Sequence, residues 1–398
     1  MGSAPRALEG VRVLDLGTLY AGPALAAMLG DLGADVIKVE PPGGDSLRQL
    51  GQKVGGQSLV WAMTGRNKRA VTLDLGQERG QEILRSLLVR SDVVVENFPL
   101  PAQRRLHCTY EELRAVNPRL IVVSVSCYGR SGPYSERVGN GTLAEAFAGL
   151  THMTGEADGP PLLTSLPIGD VLASVQGVIG ALAACYHRDA GGGGGQHVDV
   201  SMYEPVLQFL TNPILRYGHS GVSESRAGSR IPGSAPRNTY RTRDGRWVVI
   251  SAVTDRMVAR LLQAMGRDSP ANRERFGRQP DRVRNELEMD AEVADWVAQT
   301  DGDAVVETLA AAAIPVSAVN DAAAIFADPH IAARGNLLEV TDPRAGPLRV
   351  PAPTPRLSET PARIRWTGPE VGQHNREVYA ELGLDDSELE ALREAGVV

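Results

Sequence analysis

Val11-Arg12-Val13-Leu14-Asp15-Leu16 reads as a buried strand. Residues 17–22, Gly-Thr-Leu-Tyr-Ala-Gly, form a turn. Pro23 suits the first position of a helix over 24–32, which Gly33 stops. Asp35-Val36-Ile37-Lys38-Val39-Glu40 is the next strand. Strand, helix and strand together have the size of one Rossmann-type unit, so this stretch sets an α/β fold with a parallel sheet. The turn fails both nucleotide fingerprints. Gly17-x-x-x-x-Gly22 has Pro23-Ala24 where a phosphate loop needs Lys-Ser/Thr, and no Gly-x-Gly-x-x-Gly follows the strand. Glu40 alone, at the place of a ribose-binding acid, does not rescue a nicotinamide reading.

The alternation continues outward. Gly65-Arg66-Asn67-Lys68-Arg69 precedes a strand over 70–75, and its cations suit either phosphates or a solvated turn. A helix over 78–88, a strand over 92–95, a capping box at Thr109-x-x-Glu112 and a strand over 120–125 follow. Ligands of such sheets bind beyond the carboxyl ends of the strands, where Tyr20, Asn97 and Cys127-Tyr128-Gly129 lie. The five-glycine tract at 191–195 reads as a solvent hinge before a strand over 197–201.

Composition shifts near Gly218, and the expected domains are a large one over 1–205, a linker over 206–237 and a small one over 238–325. A second linker over 326–345 and a C-terminal segment over 346–398 returning to the large domain complete the chain. With 398 residues and 42% apolar content, two domains and a large core are expected. The net charge of -7 argues against nucleic acid. Three scattered cysteines suggest neither a disulfide framework nor a metal site. No signal peptide is read at the start, and the apolar run over 171–185 reads as too short to span a membrane, so a cytoplasmic protein is expected.

That run follows Leu166-Pro167-Ile168-Gly169-Asp170. A lone carboxylate stands at the mouth of a helix of small apolar residues, with no other acidic or basic side chain before His187. Asp170 there is a helix cap, a reagent or both. His152 and His187 read as structural or surface groups, and Cys127 as packing, since nothing beside it activates a thiolate.

The chain resembles the class III CoA-transferases over nearly its whole length. This is the family of formyl-CoA and carnitine CoA-transferases, which shares its fold with α-methylacyl-CoA racemases. The resemblance rests on Val13-Leu14-Asp15-Leu16 with Ala21-Gly22-Pro23, Gly33–Gly44, Asn67-Lys68-Arg69, and Val94-Val95-Glu96-Asn97-Phe98. It extends to Gly129-Arg130-Ser131-Gly132-Pro133-Tyr134, Gly195–Ser201, Asp328-Pro329-His330 and Glu381-Leu382-Gly383-Leu384. It implies a Rossmann-like large domain, a smaller α/β domain and an interlocked homodimer. It implies acyl-CoA and a carboxylic acid as substrates, with no metal, nicotinamide or flavin and no membrane partner. The positions matching the family's CoA contacts are Leu19, Leu73, Asn97, Phe98, Arg105 and Met202, with Arg105 the one cation among them. Asp170 matches the family's nucleophile, which attacks the thioester to give a mixed anhydride and then an aspartyl-CoA thioester. Free N–H groups at the helix start are expected to stabilise the oxyanion and to keep Asp170 ionised.

Three positions around the acceptor depart from that pattern. Tyr20 stands where formyl-CoA transferases have glutamine, and Asn140-Gly141 replaces their Tyr-Glu pair. The departure removes a second carboxylate, argues against oxalate and leaves room at Gly141 for a larger acid. The racemases place a His-Asp pair there, and Asn140 cannot carry their proton. An acyl-CoA racemase or epimerase, and a non-catalytic CoA-binding relative, are the alternatives to the transferase.

Overall fold

The computed structural model describes residues 5–398, so the expected start of the large domain at residue 1 lies outside it. The chain forms two compact units. The first comprises the residues up to Leu150, Thr164–Leu215 and Ala333–Val398; the second comprises Thr151–Leu163 and Arg216–Ala332.

The first unit holds β1 (Arg12–Asp15), β2 (Asp35–Glu40), a short hairpin of β3 (Lys53–Val54) and β4 (Gln57–Ser58), then β5 (Lys68–Thr72), β6 (Val93–Glu96), β7 (Ile121–Ser126) and β8 (His197–Ser201). Six of these make one sheet in the order β5-β2-β1-β6-β7-β8, every neighbour parallel. The chain builds outward from β1 on one side, then returns to build outward from β6 on the other. The crevice between β1 and β6 is therefore the switch point, where such sheets take ligands.

Side chains alternate across the sheet and feed two cores. Val13, Val36, Val93, Ile121 and Val123 face one core, which the helices Ala21–Asp31 and Ile168–Ala190 close. Leu14, Ile37, Val71, Val94 and Val122 face the other, with Tyr379 and Leu389 from the helices Asn375–Glu381 and Asp386–Glu394. Period-two alternation of apolar residues on a sheet covered on both faces gives this arrangement directly.

The second unit has β9 (Arg237–Arg241), β10 (Trp247–Ser251) and β11 (Val316–Ala318) in an antiparallel sheet, packed on helices through Val258, Leu261, Phe276 and Val293. Back in the first unit, β12 (Leu337–Asp342) and β13 (Gly346–Pro351) form a hairpin.

Several expected spans shift. The first helix begins at Ala21, so Pro23 is its third residue, still inside the first turn where proline is tolerated. The span 206–237 is no bare linker. It carries most of the helix Tyr203–Phe209, with Val206 buried, and the helix Thr211–Ser220. The span 326–345 holds the helix Pro329–Ala333 and β12. Residues 151–163, expected in the large domain, group with the second unit. The 191–195 tract is not an open hinge throughout, because a side chain at 195 would overlap the Leu120 carbonyl.

The helix Ile168–Ala190 has 23 residues and contains an 18-residue window with a mean hydropathy of 1.7, so by length and composition it could cross a membrane, contrary to the expectation from 171–185 alone. Its small residues Ala173, Ser174, Gly177 and Ala181 instead face the sheet and the Ala21–Asp31 helix. A Cβ at 177 would overlap Leu25, so glycine permits that approach.

Candidate active site

Asp170 is the third residue of its helix. Pro167 occupies the N-cap and offers no side-chain oxygen to the helix. The expected cap role of Asp170 is therefore not what the structure has. The capping oxygen comes from elsewhere. Glu145 lies in the helix Gly141–Ala148, on the same buried face as Gly141, Ala144 and Ala148, and is 1% exposed. Its Oε1 accepts the Gly169 N–H at 3.0 Å and its Oε2 accepts the Thr164 hydroxyl at 2.6 Å.

The other first-turn donors are also engaged. Ile168 N–H donates to the Leu166 carbonyl at 2.8 Å and Val171 N–H to the Pro167 carbonyl at 3.0 Å. The Asp170 carboxylate takes its own N–H and that of Gly141. The free oxyanion donors expected at this helix start are thus occupied.

The two helix starts touch through glycine. A Cβ on Gly169 would sit 2.7 Å from the Gly141 carbonyl oxygen, and a Cβ on Gly141 would overlap Asp170 Oδ2. The space above Gly141 holds the Asp170 carboxylate rather than room for a larger acid. Asn140 caps the Gly141–Ala148 helix by accepting the Leu143 N–H at 3.1 Å.

Nor is Asp170 isolated. Burial pushes its carboxyl up to about 6, and the negative charge of Glu145 adds to this; its own N–H and that of Gly141 oppose the rise only in part. The carboxyl stays mainly ionised near neutral pH, but burial and Glu145, not the N–H groups, set the direction of its shift. A buried carboxylate with a raised pKa is more basic, hence a better oxygen nucleophile near neutral pH. The Cys127 thiol, raised chiefly by burial, lies close enough to feel Asp170 and hydrogen-bonds the Asn140 carbonyl at 3.5 Å. Nothing there lowers its pKa enough for a thiolate. Beyond it, Tyr128, Tyr134, Phe147 and Tyr203 stack edge to face at centroid distances of 5.1 to 5.9 Å.

A second feature opens at the switch point. An apolar cavity of about 240 Å³ is lined by Leu16, Val39, Leu73, Leu75, Phe98 and Leu106, among others. Leu73 and Phe98 were expected here. Asn97 binds the turn, accepting the Thr18 N–H at 2.7 Å and donating to the Thr18 carbonyl at 2.8 Å. That holds Leu19, at φ +59° and exposed, next to the half-buried Tyr20. Arg105 is exposed, with no ion-pair partner among the described residues. Met202 is buried in the core at the end of β8 and does not line the cavity. Among the described residues no group of three or more His, Cys, Asp or Glu is placed to hold a metal ion.

The cations of 65–69 serve the scaffold, not phosphates. Arg66 pairs with Asp31, Arg69 with Asp35 and Glu381, and buried Lys68 with Asp15 at 2.7 Å. Glu40 is likewise spent on Arg48 and the Asp45 N–H.

The sequence model of CoA-transferase family III matches residues 8–375. The chain belongs to the family III CoA-transferases. It is 39% identical over 397 residues to a succinyl-CoA–D-citramalate CoA-transferase of Chloroflexus aurantiacus, covering 99% of this chain and 98% of that one. It is 35% identical to a succinyl-CoA:mesaconate CoA-transferase of Haloarcula marismortui, over 95% and 97% of the two chains. The crystal structure of a CaiB/BaiF family protein from Brucella suis superposes with a TM-score of 0.82 at 32% identity, over 95% of this chain and 99% of that one. The transferase thus has coenzyme A thioesters as its substrate class, and its α/β fold with a six-stranded parallel sheet is the CaiB/BaiF fold.

Proposed function

We propose that the transferase moves CoA from succinyl-CoA to a hydroxylated or branched dicarboxylic acid through covalent intermediates on Asp170. The observation that carries this is the half-buried Asp170 carboxylate, seated over Gly141 and pushed up to about 6 by its surroundings, in a family III chain. The donor and the acceptor class rest on what the relatives are named for.

In this reading an Asp170 oxygen attacks the thioester carbonyl. The C–S bond breaks, leaving a mixed anhydride and CoA thiolate. The thiolate attacks the Asp170 carbonyl, giving an aspartyl-CoA thioester and releasing succinate. The acceptor carboxylate then attacks that thioester, and the expelled thiolate attacks the acceptor's carbonyl in the new anhydride. This forms the product thioester and regenerates Asp170. Splitting one exchange into such steps is covalent catalysis.

The cavity at the switch point takes the adenosine end of CoA, with Leu73 and Phe98 in its wall, Leu19 and Asn97 at the turn and Arg105 as the phosphate cation. Met202 supports the core beneath. Tyr20, Asn140 and Gly141 border the acyl site. The enzyme works as a homodimer, interlocked as in its family. The exposed apolar row of Val175, Ile179 and Tyr186 on the Ile168–Ala190 helix supports a partner copy as its cover. A cytoplasmic location agrees with three free cysteines.

The test uses succinyl-CoA and isotopically labelled citramalate. Label must enter the CoA thioester pool, and Asp170→Ala must lower the rate at least about a thousandfold, near 4 kcal/mol of barrier, with CoA affinity kept. Exchange of an α-proton with solvent and no labelled thioester would favour the racemase instead. A wild-type rate in Asp170→Ala would remove the mechanism.

A further inference from the structure

We propose that Glu145 is the positioning residue of this site: its carboxylate, held by the Gly169 N–H and the Thr164 hydroxyl, fixes the first turn of the Ile168–Ala190 helix so that the Asp170 carboxylate faces the acyl site as a basic oxygen. The inference rests on the reading of Asp170 as nucleophile and adds the group that sets it.

The helix cannot cap itself, because Pro167 brings no side-chain acceptor. An acceptor from another helix satisfies the Gly169 donor instead, at 3.0 Å. The same carboxylate accepts from Thr164, so it ties the chain entering the helix to the helix start. The two first turns meet through the buried Gly141 and Gly169, whose backbones approach closely, with the Asp170 carboxylate seated over Gly141. A shift of either turn would carry Asp170 with it, and misplacement of a reacting group by about 1 Å costs on the order of 100-fold in rate.

Burying Glu145 so near Asp170 is costly for a scaffold alone. A glutamine or serine would cap Gly169 equally well without the repulsion. What a carboxylate adds is its charge. The titratable groups acting on Asp170 are Glu145 from the Gly141–Ala148 helix and the Cys127 thiol following β7. Asp31 of the Ala21–Asp31 helix, Tyr203 and Glu204 of the Tyr203–Phe209 helix, and His197 and Asp199 of β8 lie on elements that also pack on the Asp170 helix, as does β7, and none of them shifts its carboxyl. Among the described residues no cation offsets the repulsion. Asp170 is kept basic, as a carboxylate nucleophile attacking a thioester requires.

The experiment compares Glu145→Gln, Glu145→Ala and Asp170→Ala in the full-length enzyme with succinyl-CoA and citramalate, reading kcat, KM and the pH profile. Glu145→Ala is expected to lose on the order of 100-fold in kcat with KM for succinyl-CoA within about threefold. Glu145→Gln keeps the acceptor for Gly169 and is expected to recover to within about tenfold of wild type. Its acid limb in kcat/KM should move down by about one pH unit, because the charge is gone. A structural role alone would leave that limb in place.

A wild-type kcat in Glu145→Ala, or an unmoved acid limb in an active Glu145→Gln, overturns the proposal. If Glu145→Ala does not fold by circular dichroism, the limb of Glu145→Gln decides. Asp170→Ala separates the two readings: activity there overturns the nucleophile assignment, while its inactivity beside an unmoved limb overturns only the role of Glu145.

Discussion

Two ionic clusters lie in the first unit, one fully buried around Asp15 and one half-buried around Asp170, and they are built on opposite principles. Around Asp15 the charges alternate in sign. Lys68 donates to Asp15 at 2.7 Å and to the Pro23 carbonyl at 2.7 Å. Lys38 donates to the Gly17 carbonyl and pairs with Asp45 at 3.2 Å and more distantly with Asp15. Burial alone would discharge Lys38, yet Asp15, Asp45 and Glu40 lift it above its ordinary value; Lys68 falls to about 8, because burial outweighs Asp15 there. Around Asp170 the charges are alike, and the one neighbouring charge is another carboxylate. The first cluster closes both ends of the turn at Gly17–Pro23 and leaves no group free to react. The second keeps a carboxylate poised to gain a bond. Alternation of sign builds scaffold, and like charges held together store reactivity.

The largest test of that contrast is in the first cluster. Asp15→Asn leaves Lys68 buried without a counter-charge, so denaturant unfolding at fixed protein concentration should show a loss of about 3–5 kcal/mol. Full stability would mean that the alternating charges do not hold the turn.

The second cluster should respond with the opposite sign. Asp170's carboxyl is raised from 3.8 to about 6 on folding, so the folded chain holds the proton more tightly than the unfolded one. Stability is then lost as pH rises between these values, and the loss is complete above about 6. Asp170→Asn removes it. The variant should gain about 1–3 kcal/mol at pH 8, discounted for partial exposure, and nothing at pH 4. A pH-independent difference would break the comparison.

The smallest effect is at the rim. Arg105→Ala should raise KM for CoA thioesters about tenfold, near 1.4 kcal/mol, with kcat unchanged and the effect fading at high salt. A fall in kcat at constant KM would place Arg105 elsewhere in the reaction.

The parallel sheet was legible because β1 and β2 centre on short apolar pairs, Val13-Leu14 and Val36-Ile37, and are joined by a helix with a glycine stop, and local signals suffice for such a unit. β2 falls on Asp35–Glu40 as read, and the capping box at Thr109 and Glu112 is present. Asp170 drew attention as the single charge in an apolar stretch. Its environment was not legible, because Glu145 is 25 residues away and pairing between helices leaves no local mark. One signal was available: Glu145 is the only acid on the Gly141, Ala144 and Ala148 stripe, and a charge on a small-residue stripe is buried with a purpose. The buried ion pairs of the 65–69 cations were not legible for the same reason. Their partners Asp15, Asp31, Asp35 and Glu381 come from distant segments. Gly141 looked like space because a missing side chain says nothing about which neighbour fills it.

The most direct test of the account traps the intermediate. The enzyme is incubated with succinyl-CoA, quenched with hydroxylamine and mapped by peptide mass spectrometry. The account predicts a hydroxamate on Asp170, formed only when the thioester is present and absent in Asp170→Asn. A hydroxamate on another residue, or none while CoA transfer proceeds, would contradict it.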